Sequence, residues 1–281
     1  MPITRDLCLR APDGYPLAAT LYAPEETPRV GGVVLAGAMA TPQTFYRSFA
    51  EWLSRSGYVV LTFDYRGTFA SADERGARID ATFDTWGQQD VTAAGRMLKE
   101  RVPHHPLYYL GHSLGGQLFP SCSIQHVFRR FVAVASGNGY WRRLKTWKAR
   151  LGLFLATQVW APLLLPMLGY FPGRRLRKVG DLPRGVMAQW RRWCADPAYL
   201  ATDAVQQDRF EKVTTPFTSI YSTDDGVFTS ECVTRFNSLV GSAEKTSVVL
   251  DPPSDTRIGH HGYFRPRGKA YVWPRLRKHL R

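Results

Sequence analysis

Ser113 stands between Gly111-His112 and Leu114-Gly115-Gly116, directly behind the apolar run Leu107-Tyr108-Tyr109-Leu110. Gly-x-Ser-x-Gly placed between a strand and a helix has the layout of a nucleophile elbow. Such a turn lifts the serine hydroxyl above a sheet and holds its backbone at a strained angle. Side chains two residues before and two after the serine would collide across so tight a turn, which accounts for both glycines. The helix that begins next aims free N–H groups at the hydroxyl, where an oxyanion would form. In this strand-turn-helix context the pattern points to a serine hydrolase. The bland reading is a glycine-rich turn with no chemistry.

A serine hydroxyl is a poor nucleophile at neutral pH. It needs a histidine to take its proton and a carboxylate to hold that histidine in the right tautomer. On sheets with this elbow the chain order is Ser, acid, His. The acid lies where Thr218-Ser219-Ile220-Tyr221 runs into Ser222-Thr223-Asp224-Asp225-Gly226. Asp225, deeper in the turn, is preferred; Asp224 is left to cap the turn, and Asp251 and Asp255 are outsiders. Both aspartates could equally be turn formers and nothing more. The histidine is His260 or His261, in Gly259-His260-His261-Gly262. His260 is preferred, because the glycine before it lets the backbone approach the elbow. His112 is expected to point away and to be structural, and His104, His105, His126 and His279 have no supporting context. Of the two donors an oxyanion hole requires, one is the N–H of Leu114. The other comes from Ala36-Gly37-Ala38-Met39-Ala40-Thr41, with Met39 first and Ala38 second. This chemistry needs no metal or organic cofactor.

Around these residues, short apolar runs alternate with helical periodicity. Strands are expected at residues 3–10, 17–22, 32–36, 59–63, 107–110, 131–135, 216–221 and 246–250. Helices are expected around residues 45–56, 86–101, 230–239 and from about 268, besides the one after the elbow. That alternation implies an α/β fold with a mostly parallel sheet covered on both faces, and ligands at the carboxyl ends of its strands. It breaks between 137 and 212, where Trp, paired Arg and scattered Pro replace any good buried strand. The expected organisation is therefore a discontinuous catalytic domain, 1–136 and 213–281, with a helical cap at 137–212. Within the cap, residues 151–172 carry no charge. That length would cross a bilayer, but Pro162 and Pro166 interrupt it. Lid helices over the active site come first among the readings, a membrane-surface contact second and a true span last.

Composition bounds the rest. The 281 residues suit one large domain or two modest ones. Cys8, Cys122, Cys194 and Cys232 are scattered, which fits reduced thiols rather than a zinc site or disulfide framework. The N-terminal residues lack a basic head followed by an apolar core, so no signal peptide and a cytoplasmic location are expected. The net charge of +14 gathers at Arg142, Arg143, Lys145, Lys148, Arg150, Arg174, Arg175, Arg177 and Lys178, and again from Arg265 to Arg281. A solvated basic surface is the bland explanation; acidic substrates, anionic lipid or nucleic acid are what such a field attracts. No specific nucleic-acid partner is expected.

Together with Tyr46-Arg47-Ser48-Phe49-Ala50, Asp64-Tyr65-Arg66-Gly67, Trp86-Gly87-Gln88-Gln89-Asp90 and Gly169-Tyr170-Phe171-Pro172-Gly173-Arg174, these motifs resemble the α/β-hydrolase superfamily. Gln189-Trp190, Trp193-Cys194 and the stretch from Gly259 to Arg265 are similar to a bacterial branch related to serine aminopeptidase-like and monoacylglycerol-lipase-like proteins. The resemblance implies the fold and a Ser113, Asp225, His260 triad. One departure is that Gly37-Ala38 stands where many relatives have His-Gly. The expected reaction is cleavage of a short- to medium-chain carboxylic ester through an acyl-enzyme, with Phe154, Leu155, Trp160 and Leu164 lining the acyl site. An amidase or aminopeptidase would need a cap carboxylate, for which Asp181 and Asp196 are the candidates. The same triad would also serve a thioesterase acting on an acidic carrier. A non-enzymatic membrane or nucleic-acid binding protein that keeps the fold is the most distant reading.

Overall fold

The computed structural model describes residues 2–25, 29–176 and 180–280; of the basic residues singled out above, Arg177, Lys178 and Arg281 lie outside the described residues. An antiparallel pair, β1 (Ile3–Arg10) and β2 (Pro16–Ala23), leads into β3 (Gly31–Ala36), β4 (Tyr58–Phe63), β5 (Leu107–His112) and β6 (Phe128–Val134). After an insertion that holds a small hairpin, β7 (Tyr170–Phe171) with β8 (Leu182–Pro183), the sheet resumes with β9 (Phe217–Ser222) and β10 (Lys245–Leu250). The eight-stranded sheet has the order β1-β2-β4-β3-β5-β6-β9-β10. It is parallel from β4 to β10 and antiparallel at β1 and β2.

The central strands are apolar on both faces because both faces are covered. Val34, Ala36, Leu61, Tyr109, Phe131 and Phe217 enter one core, and Val33, Leu35, Val60, Leu110, Val132 and Ile220 the other. The helices are α1 (Arg47–Ser54), α2 (Thr92–Arg101), α3 (Leu114–Leu118), α7 (Ser230–Leu239) and α8 (Val272–Lys278) from the sheet-forming segments, and α4 (Trp147–Leu168), α5 (Arg184–Ala195) and α6 (Ala204–Glu211) from the insertion.

Most expected boundaries fall within a few residues of these elements. Three expectations need correction. A helical turn begins at Phe83 under a capping box from Thr82 and passes through a π-helical stretch, Trp86–Val91, before α2. The last helix starts at Val272, after a 3-10 turn at Pro266–Gly268. The insertion does contain strands, but β7 and β8 are two residues each, too short to leave an alternating pattern in the sequence.

Candidate active site

The register Ala36↔Gly111↔Ala133↔Ser219 brings the carboxyl ends of β3, β5, β6 and β9 to one edge of the sheet. Ser113 leaves β5 at φ 52°, ψ −111°, with its N–H bonded to the Val134 carbonyl at 2.8 Å. A non-glycine residue at positive φ is a costly backbone state, and here the turn imposes it. Both elbow glycines are obligatory, though only one for the expected reason. A Cβ at Gly111 would lie 2.4 Å from the Gly116 nitrogen, inside the turn. A Cβ at Gly115 would instead lie 2.1 Å from the Ala36 carbonyl, because α3 is pressed against β3.

Ser113, His260 and Asp225 meet in line. The Ser113 hydroxyl is 3.1 Å from His260 Nε2, and His260 Nδ1 is 2.9 Å from Asp225 Oδ2. The other Asp225 oxygen accepts the amides of Val227 and Phe228 at 2.7 and 3.2 Å. Burial pushes the Asp225 carboxyl up, but His260 and those two amides outweigh it and hold the group below its ordinary range. The carboxylate therefore stays ionised and fixes the proton on Nδ1, leaving Nε2 free to accept.

Asp224 has a separate task. It accepts the Ile258 and Gly259 amides at 2.8 and 3.1 Å, anchoring the loop that presents His260. Gly259 is needed for its φ of +57° and not for close approach, since nothing lies within 4 Å of where its Cβ would be. Asp251 binds the Thr223 hydroxyl, and Asp255 the hydroxyl of its neighbour Thr256; neither meets the histidine. His261 lines the cavity beside His260, with burial and the His260 ring lowering its pKa to about 4.

His112 does more than point away. It is wholly buried; its Nε2 is 3.0 Å from the His260 carbonyl and its Nδ1 is 2.9 Å from the Tyr46 hydroxyl. That hydroxyl accepts the Ala38 N–H at 2.7 Å. With Nε2–H donating to His260 and Tyr46 O–H donating to Nδ1, every group in the chain is satisfied. Burial, with His260 and His261 nearby, keeps His112 neutral by holding its pKa well below 6.5. Sequence reasoning placed Tyr46 in a motif of the family resemblance but missed this role for its hydroxyl. Because Ala38 gives its N–H to Tyr46, the Met39 and Leu114 amides are the ones without a partner among the described residues.

A cavity of about 380 Å³ opens at this point. Its lining includes Ala38, Met39, Ser113, Leu114, Val227 and Phe228, together with Ala149, Gly152, Leu153 and Ala156 of α4 and Trp190 of α5. Phe154, Leu155, Trp160 and Leu164, expected at the acyl site, are not among the residues that line this cavity. The face of α4 that repeats as Ala149, Leu153, Ala156 looks inward, and the neighbouring bulkier residues are turned from it by the helical repeat; Phe154 packs on Trp141 instead. Asp181 and Asp196 do not line the cavity, and among the described residues no lining residue is acidic.

The mostly parallel sheet with a serine elbow at its carboxyl edge defines an α/β hydrolase. The family model described as serine aminopeptidase, S33, matches residues 27–252, and the chain belongs to that family. Cutinase 2 of Thermobifida cellulosilytica is 27% identical over 104 residues, 37% of this chain and 38% of that protein. Cutinase cut1 of Thermobifida fusca matches at 27% identity over 31% of its own length. The chain thus spans about a third of the length of these curated relatives. Among solved structures, a soluble variant of monoglyceride lipase from Saccharomyces cerevisiae superposes with TM-score 0.70 at 16% identity, covering 100% of this chain and 94% of that one. A carboxyl esterase from Bacillus coagulans superposes with TM-score 0.62 at 15% identity, covering 99% of both chains.

Proposed function

We propose that this chain is a serine esterase that cleaves short- to medium-chain carboxylic esters through an acyl-enzyme. The observation that carries the reading is the continuous path from Ser113 Oγ through His260 to buried Asp225, at 3.1 and 2.9 Å. In this reading His260 Nε2 takes the serine proton as Oγ attacks the ester carbonyl, then returns it to the leaving alcohol. Water repeats the sequence to release the acid. Asp225 holds the imidazole and stabilises its cation. The amides of Met39 and Leu114 receive the oxyanion, and losing one such donor typically costs about a hundred- to thousandfold in turnover.

The cavity supports an ester over the aminopeptidase named for the family. A free amino terminus needs a carboxylate to pair with, and the wall offers none among the described residues. Its volume of about 380 Å³ lies at the small end of ligand sites, roughly 300–1,000 Å³, which suits a short or medium acyl chain. The esterase, lipase and cutinase names among the relatives agree with this chemistry. Residues 137–212 act as a cap over the site in this reading.

Fluorophosphonate labelling with parallel hydrolysis of p-nitrophenyl esters tests the proposal. Wild type should label and turn over. Ser113→Ala should lose labelling, with turnover down by about a thousandfold or more. Equal labelling of the two proteins would reject Ser113 as the nucleophile, and faster cleavage of aminoacyl amides than of esters would reject the substrate class.

A further inference from the structure

Helix α4 is apolar on the wrong side for a surface helix. Its inward seam repeats every fourth residue: Ala149 and Leu153 reach the cavity, and Thr157, Ala161 and Leu165 are buried. Offset by two positions runs a second series, Trp147, Leu151, Leu155, Val159, Leu163 and Met167, all apolar. Of these, Trp147 is 67%, Leu163 56% and Met167 78% exposed. Four residues carry an ordinary α-helix about 40° past a full turn, so both series would normally drift together around the helix. The π-helical stretch Leu155–Trp160 widens the turn and offsets that drift, so the seam stays toward the protein and the stripe away from it.

The charge around the stripe is one-sided. No acidic residue occurs between Glu100 and Asp181. Arg142, Lys145, Lys148 and Arg150 precede or open the helix, Arg174 and Arg175 follow it, and all are exposed. None has an ion-pair partner among the described residues.

We infer that the outer face of α4 docks on an anionic lipid bilayer. An apolar stripe flanked by unpaired cations matches the acyl boundary and the phosphate layer above it. A second copy of this chain fits less well, since a symmetric contact would bring the same cations together. The helix lies on the protein rather than crossing the bilayer, because Gln158 donates to the Arg191 carbonyl and Arg191 to the Thr157 carbonyl, tying it to α5. Resting on the esterase reading, docking also narrows the substrate class to lipid-borne acyl esters, since the inner face of the same helix walls the reactive cavity.

Co-sedimentation with vesicles tests the docking without any chemistry. The full chain carrying Ser113→Ala is mixed with phosphatidylcholine vesicles containing about one third phosphatidylglycerol. It should bind them, bind pure phosphatidylcholine more weakly, and lose binding as salt rises from about 0.1 to about 0.5 M. Adding Leu163→Glu and Met167→Glu should cut binding by about tenfold or more. Lys148→Glu with Arg150→Glu should weaken it on anionic vesicles alone, and carries the test if the first pair fails to fold. With Ser113 intact, Leu163→Glu with Met167→Glu should leave hydrolysis of a soluble ester unchanged and depress that of a vesicle-embedded one. Unchanged vesicle binding in both pairs, absence of binding by the parent, or a dimer that the glutamates dissolve would overturn the inference. Ester hydrolysis without vesicle binding rejects docking alone; vesicle binding without ester hydrolysis rejects the esterase reading alone.

Discussion

His112 ties together two loops that flank Ser113, the one ending at Ala38 and the one carrying His260. Its replacement by Asn should shift the His260 backbone, lowering kcat about ten- to hundredfold, as small misplacements of a reacting group do. A second readout separates this residue from its neighbours. Unfolded, His112 takes a proton near pH 6.5; folded, it takes one only well below that. Its contribution to stability is thus present above pH 6.5 and lost as pH falls, by up to about 1.4 kcal/mol per pH unit. The stability gap between wild type and His112→Asn should narrow between pH 7 and pH 5 in urea melts, and a constant gap would show that His112 titrates normally. At this scale the meeting of Ser113, Asp225 and His260 was legible, because the chemistry expected of such an elbow dictates both residue types and chain order. Tyr46 was not, because its role depends on a neighbour 66 positions away that no spacing rule connects to it.

At the scale of elements, the cavity wall shows what a pattern can and cannot say. An uncharged stretch in the insertion implies helices over an acyl site, and α4 does contribute four residues to the lining. Size is a poor guide to which ones: Leu153 and Phe171 of the stretch line the cavity, whereas the equally bulky Phe154, Leu155, Trp160 and Leu164 do not. Beside Leu153 the helix turns the small Ala149, Gly152 and Ala156 inward, which leaves room for a ligand. Ala156→Phe should therefore shift the acyl-length optimum of kcat/KM toward shorter esters, whereas Leu155→Ala should leave the profile unchanged. The reverse result, across a series from acetate to dodecanoate, would place the wall on the other face. Gly115 teaches a related point: its need is set by Ala36 on a different strand, so the sequence shows the glycine and hides its reason.

Across the whole molecule, Arg66 joins parts of the chain that are remote in sequence. Its guanidinium pairs with Asp13 in the turn between β1 and β2 and with wholly buried Asp90 ahead of α2, at 2.5 and 2.7 Å. Burial raises the Asp90 pKa to about 7 against the pull of Arg66. Arg66→Met strands that carboxyl and should cost about 3–5 kcal/mol. The deficit should be steady below about pH 7, where the folded wild-type carboxyl is protonated too, and grow as pH rises above about 7, because only the wild type can then ionise Asp90 against Arg66. A pH-independent loss in denaturant melts would mean that Asp90 finds another cation. The α/β alternation and the interrupted sheet were readable from periodicity alone. The strand order was less so, since it rests on long-range pairing that local patterns do not encode.

The interruption between β6 and β9 also sets a schedule. Ser113 precedes His260 by 147 positions, which at roughly 5–20 residues per second takes about 7 to 30 seconds of synthesis. Through that interval the nascent chain holds Ser113 without the histidine it hydrogen-bonds, and β6 has an open edge where β9 will pair. A chain stalled within the insertion would be inert as a catalyst and vulnerable to strand-edge aggregation. On the esterase reading, hydrolytic competence therefore waits for His260, which the ribosome delivers only after β10 has completed the sheet.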